Sequence, residues 1–212
     1  MEESMNIINR LTSSHGRKDE APNLELAKQI AETNDQEAVS ALVENLSKKN
    51  KAIQSNCIKV LYEIGGLKPL LIAGFIDELV ALLHSKNNRL QWGAMTALSC
   101  ITRVKPDEIY NNLSQILEAA EKGSVITRDN AVNILIALGG VPKYTKDAFS
   151  LLMEQLLKSP TNQLPMYAER ISPIIGTENK AAFIEILNAR LDDIEKESKR
   201  KRVEKVIKKI SK

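Results

Sequence analysis

Aromatic side chains make up only 4% of this chain, with one Trp, four Tyr and three Phe. An interior built on stacked rings is excluded, so Leu, Ile, Val and Ala must fill the core from an apolar share of 43%. Histidine is as scarce: His15 and His84 have no Cys or His at ligand spacing, and no zinc site is expected. The two cysteines, Cys57 and Cys100, form no C-x-x-C pair and agree with a reducing compartment. Long apolar runs are missing too. None approaches the roughly 20 residues needed to cross a bilayer, and the acidic start MEESMNIINRL lacks the apolar block of a secretory signal. A cytoplasmic location is the expectation. Charge of one sign is not in excess, since 30 Lys and Arg against 27 Asp and Glu leave a formal +3. That average is too small to imply nucleic acid or membrane. There is no Gly-rich phosphate loop, no nucleophile elbow and no paired-histidine helix. The expectation is a chain that is not an enzyme and takes no cofactor and no metal.

What the chain does hold is repetition. Residues 73–103 read as two amphipathic helices joined by a short polar turn. The first places Phe75, Ile76, Leu79, Val80, Leu82 and Leu83 at helical spacing; the second puts Leu90, Ala94, Ala97, Leu98 and Ile101 on one face. A shift of 37 residues brings Cys57, Val60, Leu61 and Ile64 onto Ala94, Ala97, Leu98 and Ile101. The same columns continue as Ala131, Ile134, Leu135 and Leu138, then as Ala168, Ile171, Ser172 and Ile175. The first helix recurs as Leu42 and Leu46, Leu79 and Leu83, Ile116 and Ala120, Met153 and Leu157. Cys57 occupies the small-residue column, which gives it a packing role, and Cys100 lies at the margin of the buried stripe.

The punctuation follows the same plan. Asn34–Asp35 supplies a cap for a helix over about residues 36–48 that buries Val39, Leu42, Val43 and Leu46. Its partner over 51–64 is predicted to stop at Gly65–Gly66, with Gly139–Gly140 and Gly176 as later stops. Pro69, Pro106 and Pro142 mark boundaries between repeats. Pro165 suits a first helical turn, whereas Pro173 falls inside the fourth second helix and should shorten it. At the start, residues 1–22 carry Met5, Ile8 and Leu11 and have two readings: a short capping helix followed by a loose loop, or a processed or disordered tail. Asn23 would cap a helix to about residue 33 that places Leu24, Ala27 and Ile30 in the columns of Leu61, Ile64 and Leu67. At the end, residues 180–193 pair with 199–212, where Val203, Val206, Ile207 and Ile210 fall on the core columns. The predicted fold is all-α: a right-handed α-solenoid of about five to six helical hairpins over residues 23–212, with a 37-residue period.

The run Gly74-Phe-Ile-Asp-Glu-Leu-Val-Ala-Leu-Leu, then Ser85, then Leu90-Gln-x-Gly-Ala-Met-x-Ala-Leu, resembles a HEAT or armadillo repeat. Two helices per 37 residues without a clear short extra helix favour the HEAT-like form. The tetratricopeptide pattern of Trp, Gly and Tyr is absent. The resemblance implies that the second helices line a concave surface. Opposite their core columns stand three others: Ser55, Trp92, Asp129 and Met166; Lys59, Thr96, Asn133 and Arg170; Tyr62, Ser99, Ile136 and Pro173. The candidate binding face is therefore Lys59, Tyr62, Trp92, Thr96, Asp129, Asn133, Met166 and Arg170. Trp92 has two readings: a contact for a partner, or a ring packed over a neighbouring helix. Lys59 and Arg170, taken singly, read as solvated charges. Importin-like armadillo proteins carry Trp at the Thr96 column and Asn at the Cys100 column. Here those columns hold Lys59, Thr96, Asn133 and Arg170, and Glu63, Cys100, Ala137 and Ile174, so a groove of that kind is not expected. HEAT-like DNA glycosylases of the alkylpurine type use concave tryptophans and an aspartate; Trp92 and Asp129 are present, but a second groove tryptophan is not.

Charge is unevenly spread. Residues 195–212 hold nine Lys or Arg against three Glu, leaving +6, while residues 1–194 sum to −3. Lys199, Arg200, Lys201, Arg202, Lys205, Lys208 and Lys209 form a basic patch with three readings: a phosphate contact, a solubilising end cap, or a membrane-surface helix. The favoured function is a non-catalytic scaffold binding another protein through its concave face. The alternative is a nucleic-acid-binding HEAT-like protein, extending to a base-excision enzyme related to the alkylpurine DNA glycosylases, with nucleic acid reached through the basic terminal helix.

Overall fold

In the computed structural model residues 7–11 and 20–212 are described, and every element among them is helical. The chain divides into two compact units, Met1–Ala131 and Val132–Lys212, and the division falls inside a helix. No helix among the described residues is long and apolar enough to cross a membrane.

In the first unit the helices are α1 (Ala21–Thr33), α2 (Gln36–Leu46), α3 (Lys51–Leu67), α4 (Pro69–Ile72), α5 (Ile76–Leu82), α6 (Asn88–Ile101), α7 (Pro106–Asn111) and α8 (Leu113–Lys122). Helix α9 (Val125–Gly139) runs across the division. Helix α3 packs against α1, α2 and α6, and α5 packs against α6. Side-chain caps mark the starts of α2, α3, α6 and α9. Asp35 accepts a hydrogen bond from the Ala38 amide at 2.9 Å, and Asn34 just before it takes the left-handed conformation at φ 54° that closes α1. Asn50 accepts from the amides of Ala52 and Ile53. Asn87, 37 residues on, accepts from that of Arg89, and Ser124, 37 further, accepts from that of Thr127. A second tie recurs at the same interval. Gln54 donates to the Leu46 carbonyl and Gln91 to that of Leu83, joining the end of each first helix to its partner.

The apolar columns are where the pattern puts them. Cys57, Val60, Leu61 and Ile64 in α3, Leu90, Ala94, Ala97, Leu98 and Ile101 in α6, and Ala131, Ile134, Leu135 and Leu138 in α9 are all buried. Each fully buried leucine or isoleucine contributes about 1.5–3 kcal/mol relative to exposure. Burial also pushes the Cys57 thiol up to about 12, which leaves it a small apolar side chain rather than a reactive one.

Several expectations need correction. Gly65–Gly66 does not end α3, which continues to Leu67 and stops at Lys68, the extended residue before Pro69. Gly65 serves close packing instead: a Cβ there would lie 2.6 Å from Ile72 Cδ1 and 3.1 Å from the Cys100 Cβ. Pro69 and Pro106 do more than mark boundaries, since each opens a short extra helix, α4 and α7. The expected absence of a third helix is thus overturned. Asn23 is not a cap. Helix α1 starts at Ala21, and Asn23 is buried within it, donating to Asn56 Oδ1 at 2.7 Å. With that start the buried stripe is Leu26, Ala27, Ile30 and Ala31; Leu24 is 44% and Leu67 57% exposed. Val43 is half-buried. Near the N-terminus Ile7 and Leu11 are buried and Ile8 half-buried, while Met5 and His15 lie outside the described residues.

The second unit continues with α10 (Thr145–Lys158), α11 (Leu164–Ile171), a 3-10 turn (Ser172–Ile174), α12 (Thr177–Arg190) and α13 (Glu197–Ser211). Helix α10 packs on α12, and α11 and α12 pack on α13. Pro165 sits in the first turn of α11, and Pro173 ends that helix in the 3-10 turn, as expected of a residue with no amide hydrogen. The fourth first helix is rotated relative to expectation: Leu152 and Leu156 are fully buried, Met153 is half-buried and Leu157 is 51% exposed. A slip of one residue turns a helix by about 100° and exchanges its faces. Ala168, Ile171 and Ser172 keep their columns, whereas Ile175 is only half-buried. Arg190 ties this repeat, donating to the carbonyls of Leu156, Leu157 and Ser159. In α13, Val203 and Val206 are buried and Ile207 and Ile210 half-buried.

Candidate functional site

Six side chains of the first unit meet on the face of α3 and α6 opposite their core stripe. Tyr62 of α3 and Trp92 of α6 lie with ring centroids 5.7 Å apart and planes tilted by 47°. Each ring carries a cation from its own helix one turn earlier. Lys59 Nζ is 4.9 Å from the Tyr62 centroid, and the Arg89 guanidinium is 4.8 Å from that of Trp92. Cations over ring faces are attracted by the ring quadrupole, more strongly when water is excluded. The Glu20 carboxylate joins the two, with one oxygen 3.1 Å from Lys59 Nζ and the other 2.8 Å from Arg89 Nη2. Glu63 is 2.6 Å from Lys59 on the other side. Below Trp92, the Thr96 hydroxyl donates to the Trp92 carbonyl at 2.8 Å and accepts from Asn130 at 3.0 Å.

Lys59 is therefore not a solvated charge. It is 8% exposed. Burial alone would lower its pKa, but the hydrogen bonds to Glu63, Tyr62 and Glu20 outweigh that, so the ammonium is held above its ordinary value. Burial raises the Tyr62 phenol, and the Arg89 hydrogen bond holds the Glu20 carboxyl below its ordinary value. Trp92 is half-buried, its ring beside Tyr62 of the neighbouring helix and part of it open on the surface. Asp129 is half-buried.

In the second unit Arg170 is exposed and donates to Asn133 Oδ1 at 3.2 Å, and Met166 is half-buried. No ring stands beside them in the Tyr62 column, where this repeat has the exposed Pro173. The basic patch on α13 is largely engaged within its own unit. Arg200 pairs with Asp192 and Glu204, Lys201 with Glu197, and Arg202 clasps Glu169 through two bonds of 2.7 and 2.6 Å. Lys199 donates to Asn162, and Lys205, Lys208 and Lys209 are exposed. A field offered to phosphates is reduced by these pairs. Among the described residues no group of three or more His, Cys, Asp or Glu is placed to hold a metal ion.

Against solved structures, the chain matches a designed armadillo repeat protein in complex with the peptide (KR)4, at 16% identity and a TM-score of 0.67 over 98% of each chain. It also matches one of a set of computationally designed armadillo repeat proteins for modular peptide recognition. There the identity is 17% and the TM-score 0.62, over 97% of this chain and 98% of the other. An engineered protein matches at 19% identity and a TM-score of 0.61, over 100% of this chain and 97% of its own. No protein-family profile and no curated protein matches the chain. The fold is that of a HEAT/armadillo-type helical repeat.

Within this repeat fold, sequence reasoning found Lys59, Tyr62, Trp92 and Thr96 but missed Arg89, Glu63 and Glu20. A signal for two of the three was present. Arg89 stands three residues before Trp92, as Lys59 does before Tyr62, and Glu63 is at i+4 from Lys59, spacings that place side chains together on a helix. Glu20 gives no such signal, because it reaches the cluster from before α1. A groove of about 420 Å³ lies elsewhere in the unit, between α2 and the α5 segment, lined by Val43, Leu46, Phe75 and Leu82 with Glu44 and Glu78.

Proposed function

We propose that this chain is a non-catalytic binding scaffold that takes a peptide segment of another protein on the α3–α6 face of its first unit. The observation that carries this is the coupled set of Lys59, Tyr62, Trp92 and Arg89. Trp, Tyr and Arg dominate the energetics of protein interfaces. Here they are half-open to solvent yet already held by one another, so little side-chain freedom is left to lose on binding. Two structural neighbours are designed repeat proteins, one in complex with a peptide and one of a set for modular peptide recognition, which supports a protein partner for this fold.

The test is an array of varied ten-residue peptides read with the wild-type chain and with Trp92→Ala. The expected result is at least one bound sequence class whose affinity falls by about 1 kcal/mol or more in the variant. Circular dichroism should show the helical content of the variant retained. Retention of full affinity by a folded Trp92→Ala variant would refute the proposal.

A further inference from the structure

Resting on that reading of the α3–α6 face, we infer that Lys59 and Arg89 form a seat for an acidic side chain of the partner peptide, occupied in the free chain by its own Glu20. The geometry is that of a ligand site with an internal occupant. One carboxylate is shared between an ammonium at 3.1 Å and a guanidinium at 2.8 Å, and each cation lies over an aromatic ring. The cations are the sheltered part, with 10% and 37% of their side chains exposed, while the occupant is 46% exposed. The occupant is thus the component nearest to exchange with solvent.

Two further observations favour exchange over a permanent structural tie. Glu20 occupies the N-cap position of α1 but its side chain makes no capping hydrogen bond, so the helix start does not depend on it. The Arg89 fork is also only half used: Glu20 meets Nη2 alone, and Nε is buried without a hydrogen-bond partner. A guanidinium binds a carboxylate best through two parallel bonds. Glu20 cannot supply them while its other oxygen is held by Lys59. A glutamate or aspartate arriving on a separate backbone can turn both oxygens to Arg89, because Glu63 at 2.6 Å still pairs Lys59.

Charge selects the partner. With Glu20 displaced, the carboxylate left paired with these cations among the described residues is Glu63, and Lys59, Arg89 and Glu63 sum to one net positive charge. This is opposite to the preference needed for the peptide (KR)4 held by the designed armadillo repeat neighbour. A basic segment would meet the two cations directly and be repelled.

Trp92 is the sole tryptophan, so its emission reports occupancy of this seat. Full-length protein is titrated with an alternating Glu-Ala decapeptide and with (KR)4. Wild type, Glu20→Gln, Arg89→Gln and Arg89→Lys are compared, each checked for wild-type helical content. The acidic peptide should perturb Trp92 emission, and (KR)4 should not. Removing the occupant in Glu20→Gln should tighten the acidic peptide at least threefold, because the fraction of chains with an open seat rises. Arg89→Gln should weaken it at least tenfold, with partial rescue by Arg89→Lys, which keeps the charge and loses the fork. An unchanged or weaker affinity in Glu20→Gln would overturn the inference while leaving the peptide-binding face standing. Binding of (KR)4 in place of the acidic peptide would do the same. If neither peptide perturbs Trp92 in any variant the inference falls, and the peptide array decides the parent reading separately.

Discussion

Helices α6 and α11 start from the same column of small and branched residues and end differently. Helix α6 runs for 14 residues with Leu90, Ala94, Ala97, Leu98 and Ile101 all buried, while α11 runs for 8 and passes into a 3-10 turn at Pro173. The faces opposite those stripes differ accordingly. In the α3–α6 pair a ring at each of two columns, a cation one turn before each ring and a bridging carboxylate make one connected cluster. Just past α11 the column that holds Tyr62 in α3 holds Pro173, and Arg170 donates to the Asn133 amide oxygen. The apolar stripe fixes which way a repeat faces; whether the opposite face can hold anything depends on helix length and on what stands one turn away.

The largest expected effect tests the shared plan beneath that difference. Leu98→Ala in α6 and Leu156→Ala in α10 should each cost about 2–5 kcal/mol in urea unfolding, as deletions from fully buried positions. Leu157→Ala should cost about 0.5 kcal/mol or less, since half of that side chain is in water. Equal losses at residues 156 and 157 would mean that α10 is not rotated as described. A middle-sized effect tests the close approach of α3 and α6. A Cβ at Gly93 would lie 2.6 Å from Ile58 Cγ1 and 3.2 Å from its Cγ2, and a β-branched side chain has few rotamers in which to retreat. Gly93→Ala should therefore destabilise by about 1–3 kcal/mol despite a helix-propensity gain of roughly 1 kcal/mol. The smallest effect has the opposite sign. Nothing lies within 4 Å of a Cβ at Gly66, and α3 passes through it, so Gly66→Ala should stabilise by about 0.5–1 kcal/mol. A loss of stability would restore Gly65–Gly66 as a helix stop.

That last case shows what the sequence could and could not carry. The buried columns of α3, α6 and α9 were legible because a 37-residue recurrence of small and branched residues has no other simple explanation. Caps at Asp35 and Pro173's interruption were legible for local reasons, an orphan amide to satisfy and an amide hydrogen missing. Gly65–Gly66 was misread because glycine serves two purposes, a left-handed turn and close approach. Only the neighbours Ile72 and Cys100 reveal which one applies. The short helices at Pro69 and Pro106 escaped because four or six residues give no periodicity to detect. In α10, adjacent Leu151, Leu152 and Met153, then Leu156 and Leu157, fit two registers equally well until packing chooses. At the site, the columns found both rings but not their coupling. Lys59 looked like a surface charge because one of its ion-pair partners, Glu20, lies 39 positions away in the chain.

The most direct measurement is acrylamide quenching of the single tryptophan, Trp92, in the free chain and at saturation with the tightest peptide from the array. Trp92 is half-buried beneath Arg89 and beside Tyr62, so the free chain should show intermediate access. If the α3–α6 face is the binding surface, saturation should shield Trp92 and lower the quenching constant at least twofold. An unchanged constant in a saturated complex would place the partner elsewhere on the repeat array and contradict the account.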